Sequence, residues 1–216
     1  MKNRVAIHIL NPLYGALKTN KAQWDQINLD IEKLKEKSET EAQKCRPILR
    51  FQQAQFHVVI VLLTNSIIEG IANYYLASKC ENDQFELLER SSTLDKLVTV
   101  PKLFLKEYKF QKNEALFCEL KELLNLRTSM VHPKPRIFEN GKLVHKGNLP
   151  FSLLNCAAAK PDKCLSIPVR LVEHLCSQDP EAFDLCKEFY FADEMRGKIT
   201  AKVQKNNTRP NARRNF

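Results

Sequence analysis

Apolar and polar residues alternate along this chain mostly with a helical period. Between about Lys21 and Lys44, Trp24, Ile27, Ile31 and Leu34 recur every three to four residues with charges between them, which predicts an amphipathic helix. Residues 1–20 are ambiguous by the same test. A second helix is predicted from about Leu49 to Ser78, with Pro47 as its start or kink. It is apolar nearly all round at Val58–Leu63, as a central bundle helix is. Glu81–Asp83 is a polar break, and Phe85–Glu89 reads as a short turn of helix. Ser92 with Asp95 three residues later resembles a capping box before Leu94 and Leu97. Pro101 predicts a bent or two-part helix ending near Lys109. Asn113 then caps a helix reaching about Val131.

The character changes after Pro133 and Pro135. Ile137–Glu139, Asn140-Gly141 and Lys142–Val144 read as a short β-hairpin, since Asn-Gly supplies the positive φ angles of a type I′ turn. Asp179-Pro180-Glu181 reads as a helix start, leading a helix with Phe183, Leu185, Cys186, Phe189 and Tyr190 on it. The expected plan is all-α. An up-and-down helical bundle over residues 1–136 precedes a small C-terminal extension over 137–195, with a hairpin and one or two helices. A loose tail follows over 196–216.

Composition supports this plan. The 216 residues are 44% hydrophobic and hold only 5 Gly, which suits long helices around one sizeable core. The most apolar run, Phe56 to Ile68, includes His57, Thr64 and Asn65 and falls short of the about 20 apolar residues a bilayer requires. It is expected to be a buried core helix, with no membrane partner. The first ten residues mix Lys2, Arg4 and His8 with apolar residues and do not read as a cleavable signal. Seven scattered Cys without a CxxC are expected to be free thiols in a reducing cytoplasm. A zinc set of Cys164, His174, Cys176 and Cys186 matches no compact ligand spacing, so neither metal nor cofactor is expected.

Charge adds a partner. The net charge is +9, and Arg196, Lys198, Lys202, Lys205, Arg209, Arg213 and Arg214 follow the last acidic residue, Glu194. A basic, Asn-rich tail suits contact with a polyanion such as RNA, and serves equally as a solubilising terminus.

The least ordinary residue is Arg127. It falls in line with the stripe of Leu116, Leu120, Leu123 or Leu124, and Val131, so its guanidinium must find a partner or reach a cleft. His132 follows five residues later. Pro133 pushes it out of helical geometry, so it is expected at the helix end, where it can fold back toward Arg127. An imidazole, with an ordinary pKa of about 6.5, both takes and gives protons near neutrality. Beside an arginine it makes a unit able to cleave RNA without a metal, the arginine stabilising charge on phosphate. Lys134 and Arg136 are placed to hold flanking phosphates. On the central helix Asn65, Glu69 and Asn73 fall at i, i+4 and i+8 on one face. They form either a solvated face or a polar stripe in which Glu69 or Asn73 orients Arg127. Cys118, beside Leu116, Phe117 and Leu120, is expected to be a packed core thiol rather than a nucleophile.

The segments Asn65–Asn73 and Leu123–Pro133 resemble the first core helix and the Arg-x4-His signature of HEPN domains, over roughly residues 50–136. That resemblance implies a helical bundle that pairs into a homodimer, with two Arg/His pairs facing one cleft. It further implies metal-independent ribonuclease activity through Arg127 and His132, in toxin, phage-defence or RNA-processing systems, with an antitoxin or regulatory protein as a further partner. Other members of the family are non-catalytic interaction modules. This chain has Thr128 where the family often has Asn, Asp or His, and Lys134 where one toxin subgroup has Tyr.

Overall fold

The structure, a computed structural model, describes residues 5–132, 137–139, 142–145 and 156–179. These residues are predominantly helical. Helix α1 spans Val5–Lys33 and carries through Pro12. A single 3-10 turn, Leu34–Glu36, separates it from α2, Glu39–Lys79. The break therefore falls inside the stretch expected to be one helix from Lys21 to Lys44. Its cause is Ser38, whose carbonyl accepts from Ala42 N–H at 3.0 Å and whose hydroxyl reaches the Glu41 carboxylate at 3.3 Å. Ser38-Glu39-Thr40-Glu41 is the serine-to-glutamate spacing of a helix start. Pro47 lies within α2 and does not interrupt it.

Helix α3, Asn82–Leu88, opens on a capping box between Glu81 and Gln84. Helix α4, Thr93–Phe104, starts where Ser92 predicts. The Ser92 hydroxyl oxygen accepts from Asp95 N–H at 3.1 Å and lies 2.6 Å from the Asp95 carboxylate. Helix α4 runs unbroken through Pro101 rather than in two parts, and stops at Phe104 rather than near Lys109. Helix α5 is Ala115–Val131, with Glu114 rather than Asn113 in the cap position. Strands β1, Ile137–Glu139, and β2, Lys142–His145, pair antiparallel with Phe138 opposite Leu143. The Asn140-Gly141 turn lies outside the described residues. Helix α6 is Pro161–Gln178. The helix expected beyond Asp179 and the basic tail also lie outside them.

The chain forms two compact units. One comprises residues 12–69 and 110–168. Its core includes Leu17, Ile60, Val61, Ile67, Ile68, Leu120, Leu123 and Ile167. Among the described residues α2 is long and apolar enough, by length and composition, to cross a membrane, yet much of its apolar middle is packed in this core. Polar groups there are satisfied locally. Thr64 donates to Ile60 O at 2.8 Å and has Cys164 O within 3.4 Å. The half-buried His57 ring holds Ala159 O at 2.6 Å from Nε2 and meets the Trp24 ring edge-on with centroids 6.0 Å apart. A carbonyl only accepts, so the neutral ring carries its proton on Nε2.

The second unit comprises residues 1–11, 70–109 and 169–216. Here α1 approaches α2 closely at Gly70, where a Cβ would stand 2.4 Å from a Leu10 methyl. Only glycine admits that approach without moving the buried Leu10 side chain. Tyr75 hydroxyl donates to the Asp179 carboxylate at 2.9 Å, and Lys79 Nζ lies 2.8 Å from the same oxygen. Asp179 is thus a buried anchor of this unit, and the helix expected to start at Asp179-Pro180-Glu181 falls beyond it, on residues outside the described ones. The Asp179 N–H bonds Leu175 O at 2.8 Å, continuing α6, and its side chain is 2% exposed.

Among the described residues five cysteines are free thiols as expected, and the disulfide at Cys176 corrects that expectation for the sixth. Cys45, Cys80, Cys118, Cys156 and Cys164 are free, but Cys176 is disulfide-bonded. Burial pushes the Cys164 thiol up to about 12, against a smaller opposite pull from the Thr64 hydroxyl, so it is an inert packed thiol. Cys118, by contrast, is exposed and bonds Lys112 O at 3.4 Å. It points away from the buried face that Leu116, Phe117 and Leu120 form.

Two stability measurements test this packing. Asp179→Ala removes a buried anion from a charged, hydrogen-bonded cluster and is expected to lower unfolding free energy by about 3–5 kcal/mol in urea titration. Loss under about 1 kcal/mol would show that the cluster is solvent-screened. Burial also holds the His57 imidazole below its ordinary value, with the Ala159 carbonyl pulling weakly the other way. The unfolded imidazole takes up a proton below pH about 6.5, while the folded one refuses it. Stability from this group is thus complete above that pH and declines as pH falls toward the depressed folded value. The thermal midpoint is expected to fall further between pH 7.5 and 5.5 in the intact protein than in His57→Gln, and equal slopes would contradict it.

A candidate active site at Arg127

Helix α5 buries Leu116, Phe117, Leu120, Leu123 and Leu126. The buried stripe thus ends on Leu126, one residue before Arg127. This corrects the expectation that Arg127 continues the core face. Its side chain is 45% exposed, and Val131, one turn on, is exposed too. The helix rotates about 100° per residue, so the residue after a buried leucine sits at the edge of the packed face. That placement avoids the cost of an unpaired buried charge.

The side chain that meets Arg127 comes from α2. Glu69 Oε2 lies 3.5 Å from Arg127 Nη2, and Glu69 is 38% exposed. An ion pair at that distance and exposure is worth about 0–1 kcal/mol. It orients the guanidinium loosely and leaves the side chain about half exposed to solvent.

His132 sits where Pro133 was expected to put it. It is the residue after the last helical position, with φ −121° and ψ 66°, and its N–H bonds Thr128 O at 3.0 Å. The imidazole is exposed. Its N–H still follows the helical bonding pattern, so the ring leaves the helix about 140° round from Arg127 and about 7.5 Å along the axis. Among the described residues no hydrogen bond or ion pair joins Arg127 to His132. The fold back toward the arginine is therefore absent, and both side chains project from the last turn and a half of α5. Thr128 turns its hydroxyl onto Leu124 O at 3.1 Å, within its own helix. Lys134 and Arg136 lie outside the described residues.

The Asn65, Glu69 and Asn73 stripe divides into three different environments. Asn65 is fully buried, and its Nδ2 donates to Val61 O at 2.8 Å. The described residues offer its Oδ1 no hydrogen-bond partner. Asn73 does not orient Arg127, because its Oδ1 accepts from the buried Lys96 at 2.7 Å. Glu69 alone of the three meets the arginine. Sequence reasoning passed over Lys96; its position on the apolar face of α4, level with Leu97 and Val100, was the available signal.

Arg127 and Glu69 offer a phosphate-binding guanidinium next to a solvent-reached carboxylate, with an imidazole about a turn and a half further on. Among the described residues no group of three or more His, Cys, Asp or Glu is placed to hold a metal ion. An unpaired buried acceptor costs about 1–3 kcal/mol, so Asn65→Leu is expected to unfold at an equal or higher temperature than the intact protein. A marked drop in its melting curve would show that the amide oxygen is bonded in the folded chain. No protein-family model, curated protein or solved structure matches the chain.

Proposed function

We propose that this chain is a metal-independent RNA endonuclease of the HEPN type, acting through Arg127 and His132. The observation that carries the reading is the half-exposed Arg127 at the end of α5, oriented by Glu69 of α2, with an exposed histidine at the helix terminus. A guanidinium in that state is free to take a phosphate in a bidentate grip. The nearby imidazole supplies proton transfer. In this reading the bundle extends to about residue 136, a hairpin-bearing extension follows, and the basic tail gathers RNA by its charge. The protein works in the cytoplasm as a homodimer, within a toxin, defence or RNA-processing system, restrained by an antitoxin or regulatory protein.

A second reading, a non-catalytic helical interaction module, is favoured by one observation. Ile48, Phe51 and Val59 are exposed on one side of α2, with Phe51 60% exposed. Their spacing places them within about 80° of one another around the helix. A row of exposed apolar side chains marks a contact surface more often than a solvated face. The same row serves dimerisation in the first reading.

Cleavage of a mixed RNA pool in EDTA separates the two. The intact protein is expected to cleave, and Arg127→Ala and His132→Ala are each expected to lose about 10²–10⁴ in rate, with unchanged helical circular dichroism. Absence of cleavage by the intact protein, or equal rates in all three, would leave the interaction module as the better account.

A further inference from the structure

Cleavage of RNA by its own 2′-hydroxyl requires two proton transfers. The attacking and leaving oxygens stand in line on opposite sides of phosphorus. One group must therefore take the 2′-hydroxyl proton, and another must protonate the departing 5′-oxygen. A single imidazole cannot stand on both sides in one step. Within one chain the proton carriers near Arg127 are His132 and Glu69, and the fold brings Glu69, not His132, to the guanidinium.

The environment of Glu69 suits an acceptor. Its carboxylate is 38% exposed and pairs with Arg127 at 3.5 Å. Among the described residues it takes part in no hydrogen bond, so its oxygens are open to a substrate hydroxyl. Arg127 is the charged group facing it. One turn earlier stands the neutral, buried Asn65, and α2 carries no acidic residue between Glu41 and Glu69. A phosphate held by Arg127 would bring its ribose against this carboxylate.

Resting on the ribonuclease reading, we infer that Glu69 is a catalytic residue, the general base of the cleavage step. Glu69 takes the 2′-hydroxyl proton as the 2′-oxygen forms its bond to phosphorus. The bond from phosphorus to the 5′-oxygen breaks, and His132 in its protonated form gives that oxygen a proton. The products are a 2′,3′-cyclic phosphate and a free 5′-hydroxyl. Arg127 balances the charge on the phosphoryl oxygens throughout.

The alternative role for Glu69 is positioning of Arg127, and glutamine separates the two, because its amide oxygen still accepts from a guanidinium but cannot take a proton. The test measures kcat and KM for a mixed-sequence RNA pool in EDTA, with the intact protein, Glu69→Gln and Glu69→Asp, and a 2′-deoxy pool as control. For Glu69→Gln the expected result is a fall in kcat of about 10²–10⁴, with KM and the melting curve unchanged. Glu69→Asp is expected to keep more of the rate than Glu69→Gln, and the 2′-deoxy pool to stay uncut. An active intact protein with Glu69→Gln equal to it in kcat overturns the base role and leaves the ribonuclease reading standing. A rise in KM alone assigns Glu69 to positioning instead. An intact protein that cuts no RNA overturns the ribonuclease reading, and the base role falls with it.

Discussion

A helix packed on several sides must dispose of its own polar side chains, and α2 shows the result in three consecutive residues. Thr64, Asn65 and Ser66 each bond the carbonyl four residues earlier, at 2.8, 2.8 and 3.0 Å. Back-bonding of this kind lets hydroxyls and amides sit in a packed helix without cross-chain partners. It also decides the site. Asn65 is tied into its own helix and withdrawn from the surface, so the first polar group beyond it on that face to reach solvent is Glu69. Arg127, at the edge of the buried leucine stripe of α5, meets that carboxylate. The geometry of the candidate site thus follows from how α2 satisfies its middle and how α5 ends its apolar face.

Elements set by local chemistry were legible in the sequence. Ser92 and Asp95 fix the start of α4 by bonds within four residues, and the end of α5 at Val131 follows from Pro133. The start of α2 was equally local, since Ser38 and Glu41 carry the capping spacing, but the apolar period runs on across that boundary and masks it. Pro47 and Pro101 do not mark helix boundaries, for the opposite reason. A proline removes one backbone donor, and the packing of the helix around it outweighs that loss. Which face of a helix is buried was legible only to within one residue. Arg127 and Leu126 exchange roles on a shift of about 100°, and Cys118 lies about 200° round the helix from Leu120, on its far side. Contacts between distant segments left no trace in the pattern. Nothing in the neighbours of Asp179 signals that its carboxylate meets Tyr75 and Lys79, a hundred or more residues earlier.

The charged groups divide into two kinds. Lys79 with Asp179, and Lys96 with Asn73, are withdrawn from solvent and fixed by short hydrogen bonds. Exchange of either partner for a ligand would strand a charge in a medium of low dielectric. The Arg127 and Glu69 pair is of the other kind. It is long, half-exposed and weak, and water is available to each partner if the pair opens.

That weakness bears on function more than a tight bridge would. A phosphate offers two oxygens in the plane of the guanidinium and a full negative charge, and its bidentate, charge-assisted bonds are about twice as strong as neutral ones. Glu69 gives up little when Arg127 turns to such a ligand. In the proposed ribonuclease reading, the carboxylate released from the arginine then stands beside the ribose with no other hydrogen bond among the described residues to hold it. Binding and activation become one event. On that proposal the substrate's phosphate takes the arginine, and in doing so frees the base that the substrate's hydroxyl requires.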